Sequence, residues 1–92
     1  MEILEEVAND LKIDREMLAR KSLKFFLSKE LSSTEAAMFK IATRHGIKSV
    51  LEFDELLRGG KVKEEDIIDD FMEFDYLESR RDDLLKAMGK LG

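Results

Sequence analysis

Apolar residues recur at helical spacing from the beginning of the chain. Over residues 2–11 they lie three and four positions apart on one helix face: Ile3, Leu4, Val7, Ala8 and Leu11. Asp14 is a favourable N-cap for a second helix beginning at Arg15. The pattern therefore predicts two helices joined by a short turn near Lys12.

The second helix has two possible lengths. Its apolar stripe continues without a phase break from Leu27 to Ala42, which favours one bent helix over 15–45. Ser32 and Glu35, however, have the spacing of a capping box, which favours a new helix at that point. Both possibilities remain open at this stage, and Gly46 marks the end of the helix in either case.

Three further signals divide the second half of the chain. Ser49 and Glu52 form another capping box, which predicts a short helix ending at Arg58 before two glycines. A linker over 61–63 then leads to a last helix, from Glu64 to about Met88. No segment has the alternation of a strand. The sequence therefore predicts an all-α fold of four to five helices.

The last helix carries an unusually wide apolar and aromatic face. Seven of the eleven positions over 67–77 belong to it: Ile67, Ile68, Phe71, Met72, Phe74, Tyr76 and Leu77. With acidic residues around it, this face is a candidate surface for a basic protein partner, anchored by Phe71, Phe74 and Tyr76. The alternative is a core or a homodimer seam, because apolar residues recur at seven-residue spacing: Ile67, Phe74 and Met88, with Arg81 between, and Leu77, Leu84 and Leu91.

Length and charge indicate how many domains the chain has and how its charged residues are distributed. Ninety-two residues form one domain, and such a small chain with this many apolar positions is expected to be a homodimer. The net charge of −5 is uneven: a basic helix pair and long helix over 1–46 precede an acidic helical segment over 47–92. Within the basic part, Arg15, Arg20, Lys21 and Lys24 are candidates for weak phosphate contacts with DNA.

The chain offers little for catalysis. It has no cysteine and one histidine, His45, which lies in the last turn before Gly46, where an interaction with the helix dipole is expected. The carboxylates over 64–75 lack the spacing of known cation sites. We therefore expect no enzyme activity, cofactor or metal, and no membrane association, and we expect a cytoplasmic protein. The scarcity of Gln and Asn beside many Glu and Lys is typical of a thermophilic source.

The first part of the chain resembles the helix pair of ribbon-helix-helix proteins. The run over 5–31 contains their turn pattern L-x-I-[DS]-R as Leu11 to Arg15, and it matches their apolar positions at Leu18, Ala19, Leu23, Phe26 and Leu27. It resembles a helix-turn-helix less closely, because Lys12 stands where that motif has glycine. The strand with which ribbon-helix-helix proteins read DNA is missing, since the helical pattern begins at Glu2.

The second part extends the resemblance. The segment over 46–62, followed by an acidic and aromatic helix, resembles small archaeal VapB-like antitoxins. This resemblance implies a protein that dimerises and binds DNA through its N-terminal part and neutralises a PIN-domain ribonuclease toxin through its C-terminal part. The alternatives are a small DNA-binding transcriptional regulator and a homo-oligomeric structural protein.

Overall fold

A computed structural model describes residues 2–60 and 63–92 of the chain. These residues form α1 (Ile3–Leu11), α2 (Arg15–His45), α3 (Val50–Arg58) and α4 (Glu64–Gly89), and they contain no strand. The all-α prediction is thus confirmed for this part of the chain. Of the predicted linker over 61–63, positions 61 and 62 lie outside the described residues. Within the described ranges, no helix is both long and apolar enough to cross a membrane.

The helix boundaries follow from the predicted capping residues. The Asp14 carboxylate accepts a hydrogen bond from the Met17 amide at 3.0 Å, and α2 begins at the next residue after Asp14. Ser49 caps α3 in the same way, although the carboxylate of Glu52 accepts from the Lys48 amide rather than from that of Ser49. Side-chain caps therefore fix where these two helices begin.

Residues 15–45 form a single helix, so the two-helix alternative, and with it the five-helix count, is wrong. The Ser32 and Glu35 pair lies inside α2, where backbone hydrogen bonds already satisfy the amides that a cap would bind. Helix α2 ends where predicted. Gly46 has a left-handed backbone with φ of 64°, and the next amide, of the buried Ile47, donates to the Ala42 carbonyl at 2.9 Å.

Helices α2 and α4 form a long antiparallel hairpin. His45 at the end of α2 contacts Asp70 near the beginning of α4, and Arg20 donates to the Leu91 carbonyl at the other end. The molecule is accordingly elongated, with extents of 61 × 21 × 19 Å. Among the described residues, α1 packs only against α2, and α3 packs against α4.

The seven-residue repeat of α4 faces α2 of the same chain. Ile67, Phe74 and Leu84 are buried, and Arg81, at the one charged position, is half-buried. The repeat therefore forms an intramolecular seam, and these positions are not available to a second copy in this conformation.

The two ends of the hairpin are built differently. The closed end (the described part of 32–77) contains the main core, which consists of Met38, Ile41, Ile47, Phe53, Ile67 and Phe74. The open end (2–31 and 78–92) buries only Ala8 and Leu84 among its described residues. The difference arises because α3 packs on α4 and adds Phe53 to the core at one end, whereas α1 at the other end packs on α2 without contacting α4.

Candidate partner-binding surface

The structure divides the seven residues predicted to bind a partner into core and surface. Phe74 is 1% exposed and Ile67 is equally enclosed, so neither can contact another protein without opening the fold. The Phe74 ring lies edge-on to that of Phe53, with centroids 5.7 Å apart. This part of the prediction is corrected: Phe74 and Ile67 belong to the hydrophobic core.

A second group from the same set lines the edge of the core. Ile68, Phe71 and Leu77 are half-buried, and Phe71 is T-shaped against Phe53 at 5.7 Å. Phe71 and Leu77 pack on the buried cluster with one side. Only part of their surface is therefore exposed, and Phe71 lies at the edge of the core rather than on the open surface.

Met72 and Tyr76 remain on the outer side of α4. They are 62% and 65% exposed and lie four residues apart, on the side turned away from α2. Four exposed carboxylates surround them, from Glu65, Asp69, Glu73 and Asp75. We call these six residues the acidic face of α4. An exposed aromatic ring and a methionine within a carboxylate rim suit a basic protein surface.

An open groove lies beside the core on the opposite side of α4 from this face. It has a volume of about 610 Å³ and is lined mainly by Met38, Phe39 and Ala42 of α2, Ile47, and Phe74 and Arg81 of α4. Phe39 is 70% exposed at its rim. Its lining comes from α2, α4 and the turn after α2, and it includes no residue of α3.

His45, the only histidine, connects three helices. Its Nε2 donates to the Asp70 carboxylate at 2.8 Å, and its ring packs against Phe53 of α3 with centroids 4.9 Å apart. Arg44 also donates to Asp70, at 2.6 Å. The hydrogen bond from His45, with the bond and charge of Arg44, holds the pKa of Asp70 below its ordinary value although partial burial opposes this. The expected structural role of His45 thus rests on Asp70, a partner 25 residues away, in addition to its place at the helix end.

The candidate DNA contacts are only partly available. Arg15 is surrounded by carboxylates: it is hydrogen-bonded to Glu2 and Glu16 and lies 3.8 Å from Glu5. The hydrogen bond to Glu2 and the charges of these three groups raise the pKa of Arg15. Because its charge is already compensated, Arg15 contributes little attraction for a phosphate.

The other three cations lie further along α2. Arg20 donates to the Leu91 carbonyl at 2.5 Å, which ties it to the end of α4. Lys21 and Lys24 are exposed. No strand precedes α1 in the described chain, so the base-reading element of ribbon-helix-helix proteins has no counterpart there. Of the four candidate cations, Lys21 and Lys24 are thus the two that are exposed and have no side-chain contact shown in the described structure.

The acidic residues do not converge on a metal site in the part of the chain that the structure describes. No three carboxylate or imidazole groups there are close enough to hold one ion. The carboxylates of the acidic face lie along a helix surface rather than around a point. Their arrangement suits an extended charged surface.

Sequence reasoning missed two residues that shape this region. Phe53 is completely buried and contacts three aromatic rings, yet nothing in the sequence of its short helix marks it as a core residue. Asp70 is one of seven carboxylates over residues 64–75, and nothing in the local sequence distinguishes the one that contacts His45. The seven-residue spacing was the available signal for Phe74, since it separates the side facing α2 from the outer side of α4.

Over its whole length, residues 1–92, the chain matches the model of the Uncharacterized protein MJ0235 family, and it belongs to that family. Comparisons with curated proteins and with solved structures found no match.

Proposed function

We propose that the protein is a non-enzymatic binding protein that holds a basic protein partner on the acidic face of α4. The observation that carries this proposal is the exposure of Met72 and Tyr76 within a rim of four carboxylates. A methionine adapts to an irregular surface, and a tyrosine combines a large contact area with a polar tip. The core beneath them, with Phe74, keeps this helix in place without the partner.

The specific partner that we propose is a ribonuclease toxin of the PIN-domain type, as the resemblance to VapB-like antitoxins implies. An enzyme that binds RNA presents basic residues around its active site, and an acidic helix is complementary to such a surface. In this proposal the carboxylates raise the association rate, while Met72 and Tyr76 slow dissociation.

We also propose that the binding unit is a homodimer. The hairpin leaves many large apolar side chains exposed for a chain of this size. DNA binding is a weaker second proposal. Lys21 and Lys24 are exposed beside Arg20, which supports salt-sensitive contacts that do not depend on DNA sequence.

The test is co-expression with a small ribonuclease encoded beside the gene for this protein. We expect the two proteins to purify together and the ribonuclease to lose activity in the complex. The double variant Met72→Ala/Tyr76→Ala should weaken the complex by at least 30-fold, since truncating one true hot spot already costs about 2 kcal/mol. Leu51→Ala is the matched control, because Leu51 is exposed to a similar extent on α3.

The outcome separates this function from its rivals. Retention of the ribonuclease by the control but not by the double variant supports the acidic face of α4. An active ribonuclease that never purifies with the wild-type protein contradicts the antitoxin proposal. Equal loss in both variants contradicts the surface assignment, because it shows that the partner does not distinguish the acidic face from α3.

A further inference from the structure

Helix α1 buries one of its apolar stripes and exposes the other. Ala8 is buried and Leu4 is half-buried on the side that packs against α2. Ile3, Val7 and Leu11 follow one another four positions apart along the helix, and all three are exposed. In the described structure α1 packs against no helix except α2. One copy of the chain therefore leaves this outer stripe of α1 uncovered.

A matching uncovered surface lies on α2. Leu18 and Ala19 are half-buried near the beginning of α2, the helix on which α1 packs. Phe25 and Phe26 lie on the same side of α2 seven residues later, and they are 70% and 53% exposed. Glu2, at the beginning of α1, is bonded to Arg15 in the first turn of α2, which keeps α1 over the first turns. Helix α1 therefore does not reach the two phenylalanines of its own chain.

We infer that a second copy of the chain covers both surfaces. The outer stripe of α1, formed by Ile3, Val7 and Leu11, packs on Phe25 and Phe26 of the other copy, and a two-fold axis repeats the contact. This inference rests on the proposed homodimer and assigns its interface. The two surfaces lie at the same end of the molecule, so each copy offers both halves of the contact, as a closed two-fold interface requires.

Charge favours another copy of the chain as the occupant of this end. The open end contains ten acidic and ten basic residues, whereas the segment 32–77 contains eleven acidic and six basic ones. Two open ends meet without net repulsion, while two closed ends repel each other. A strongly basic or acidic partner gains no net attraction at the open end.

The available apolar area fits a stable interface. Among the described residues, twelve large apolar side chains are exposed, and eight of them lie at the open end: Ile3, Val7, Leu11, Met17, Leu23, Phe25, Phe26 and Leu85. A standard interface buries about 800 Å² per partner, and a fully buried aromatic side chain contributes about 150–250 Å², of which Phe25 and Phe26 still expose 70% and 53%. Two phenylalanines and the stripe of α1 supply the larger part of that area.

Light scattering on purified protein at micromolar concentration tests the inference first. We expect the wild type to have twice the 10.7 kDa chain mass and Phe25→Ser/Phe26→Ser to have the mass of one chain. Phe39→Ser is the matched control, because Phe39 is as exposed as Phe25 on the same helix but lies at the closed end. It should keep the doubled mass. Far-UV circular dichroism shows whether each variant retains its helices.

A cross-linking experiment tests the pairing directly. Because the chain has no cysteine, only the introduced cysteines can form a disulfide. Val7→Cys and Phe26→Cys proteins are mixed, allowed to exchange subunits and oxidised. We expect a disulfide between the two different chains, in higher yield than for Val7→Cys mixed with Phe39→Cys.

Three results overturn the inference. If the wild type has the mass of one chain, both the proposed homodimer and its interface are contradicted. A dimer that survives Phe25→Ser/Phe26→Ser but dissociates in Phe39→Ser places the second copy at the groove between α2 and α4. If Val7→Cys cross-links equally well with Phe26→Cys and with Phe39→Cys, the proposed pairing of Val7 with Phe26 is contradicted. None of these results bears on the acidic face of α4, whose test measures ribonuclease retention.

Discussion

At the closed end of the hairpin, Phe53 and Phe74 are enclosed by three helices, while at the open end Phe25 and Phe26 face solvent. Both pairs are phenylalanines in regular helices. The difference is the position of the short helix: α3 lies over the α4 side of the core, and α1 packs on α2 away from α4. The short helix at the closed end contributes Phe53 to the core, whereas the short helix at the open end contacts α2 alone.

The same comparison applies to charge. The closed end combines the main core with all of the net negative charge, which suits a stable surface that attracts a basic partner. The open end combines unfinished packing with charge balance, which suits self-association. In our account each end therefore meets a different kind of protein.

The largest expected loss of stability comes from truncating a core side chain at the closed end. Phe74→Ala should lower the free energy of unfolding by about 3–5 kcal/mol, because it removes a buried ring and leaves a cavity. Tyr76→Ala, two residues away on the acidic face, should change it by no more than about 0.5 kcal/mol. Urea unfolding followed by circular dichroism at one fixed protein concentration measures both. Similar losses for the two variants would mean that α4 does not separate core from surface in this way.

A medium effect on the free energy of unfolding is expected at His45 and Asp70, the pair that joins α2 to α4. The pKa of Asp70 is lower in the folded protein than in the unfolded chain. Its contribution to stability is therefore present above the unfolded pKa, near pH 4, and is lost as the pH falls toward the folded value. Asp70→Asn should reduce stability at pH 7 by about 1 kcal/mol, a value discounted because the pair is partly exposed.

Unfolding free energies of the wild type and of Asp70→Asn, measured between pH 7 and pH 3, check this prediction. The difference between the two proteins should shrink below about pH 4. Asp69→Asn is the control, because Asp69 is the exposed neighbour on the acidic face. A difference that stays constant with pH would contradict the assigned role of Asp70.

The smallest effect on the free energy of unfolding is expected at the open end, where a substitution should raise stability instead of lowering it. Lys12 ends α1 with φ of 58°, a left-handed conformation that glycine adopts without steric cost. Lys12→Gly should raise the unfolding free energy by about 0.5–1 kcal/mol. Lys21→Gly, inside α2, should lower it by about 1 kcal/mol. A loss of stability in Lys12→Gly would show that the Lys12 side chain makes a contact worth more than the relieved strain.

Much of the fold could be predicted from local chemistry. Asp14, Gly46 and Ser49 mark helix boundaries because their side chains, or the lack of one, act on backbone groups a few residues away. Local chemistry could not decide between one helix and two over 15–45. The capping box at Ser32 and Glu35 favours two helices, whereas the continuous apolar stripe favours one.

The surface was harder to predict than the fold. The stripe over 67–77 is wide, and the density of aromatic residues in it does not separate those that face α2 from those that face outward; only the seven-residue spacing does. The sequence predicts both Phe74 and Tyr76 as exposed anchors, yet Phe74 is buried and only Tyr76 is exposed. The partner of His45 could not be predicted either, since Asp70 is brought to it only by the antiparallel pairing of α2 with α4.

Amide hydrogen exchange, compared between the wild type and Phe25→Ser/Phe26→Ser, tests the contrast between the two ends most directly. Our account predicts faster exchange in the variant over α1 and the first part of α2, with unchanged protection in the described core residues from Met38 to Phe74. Equal acceleration at both ends, or unchanged exchange in α1, would contradict the claim that one end is complete and the other is completed by a second copy.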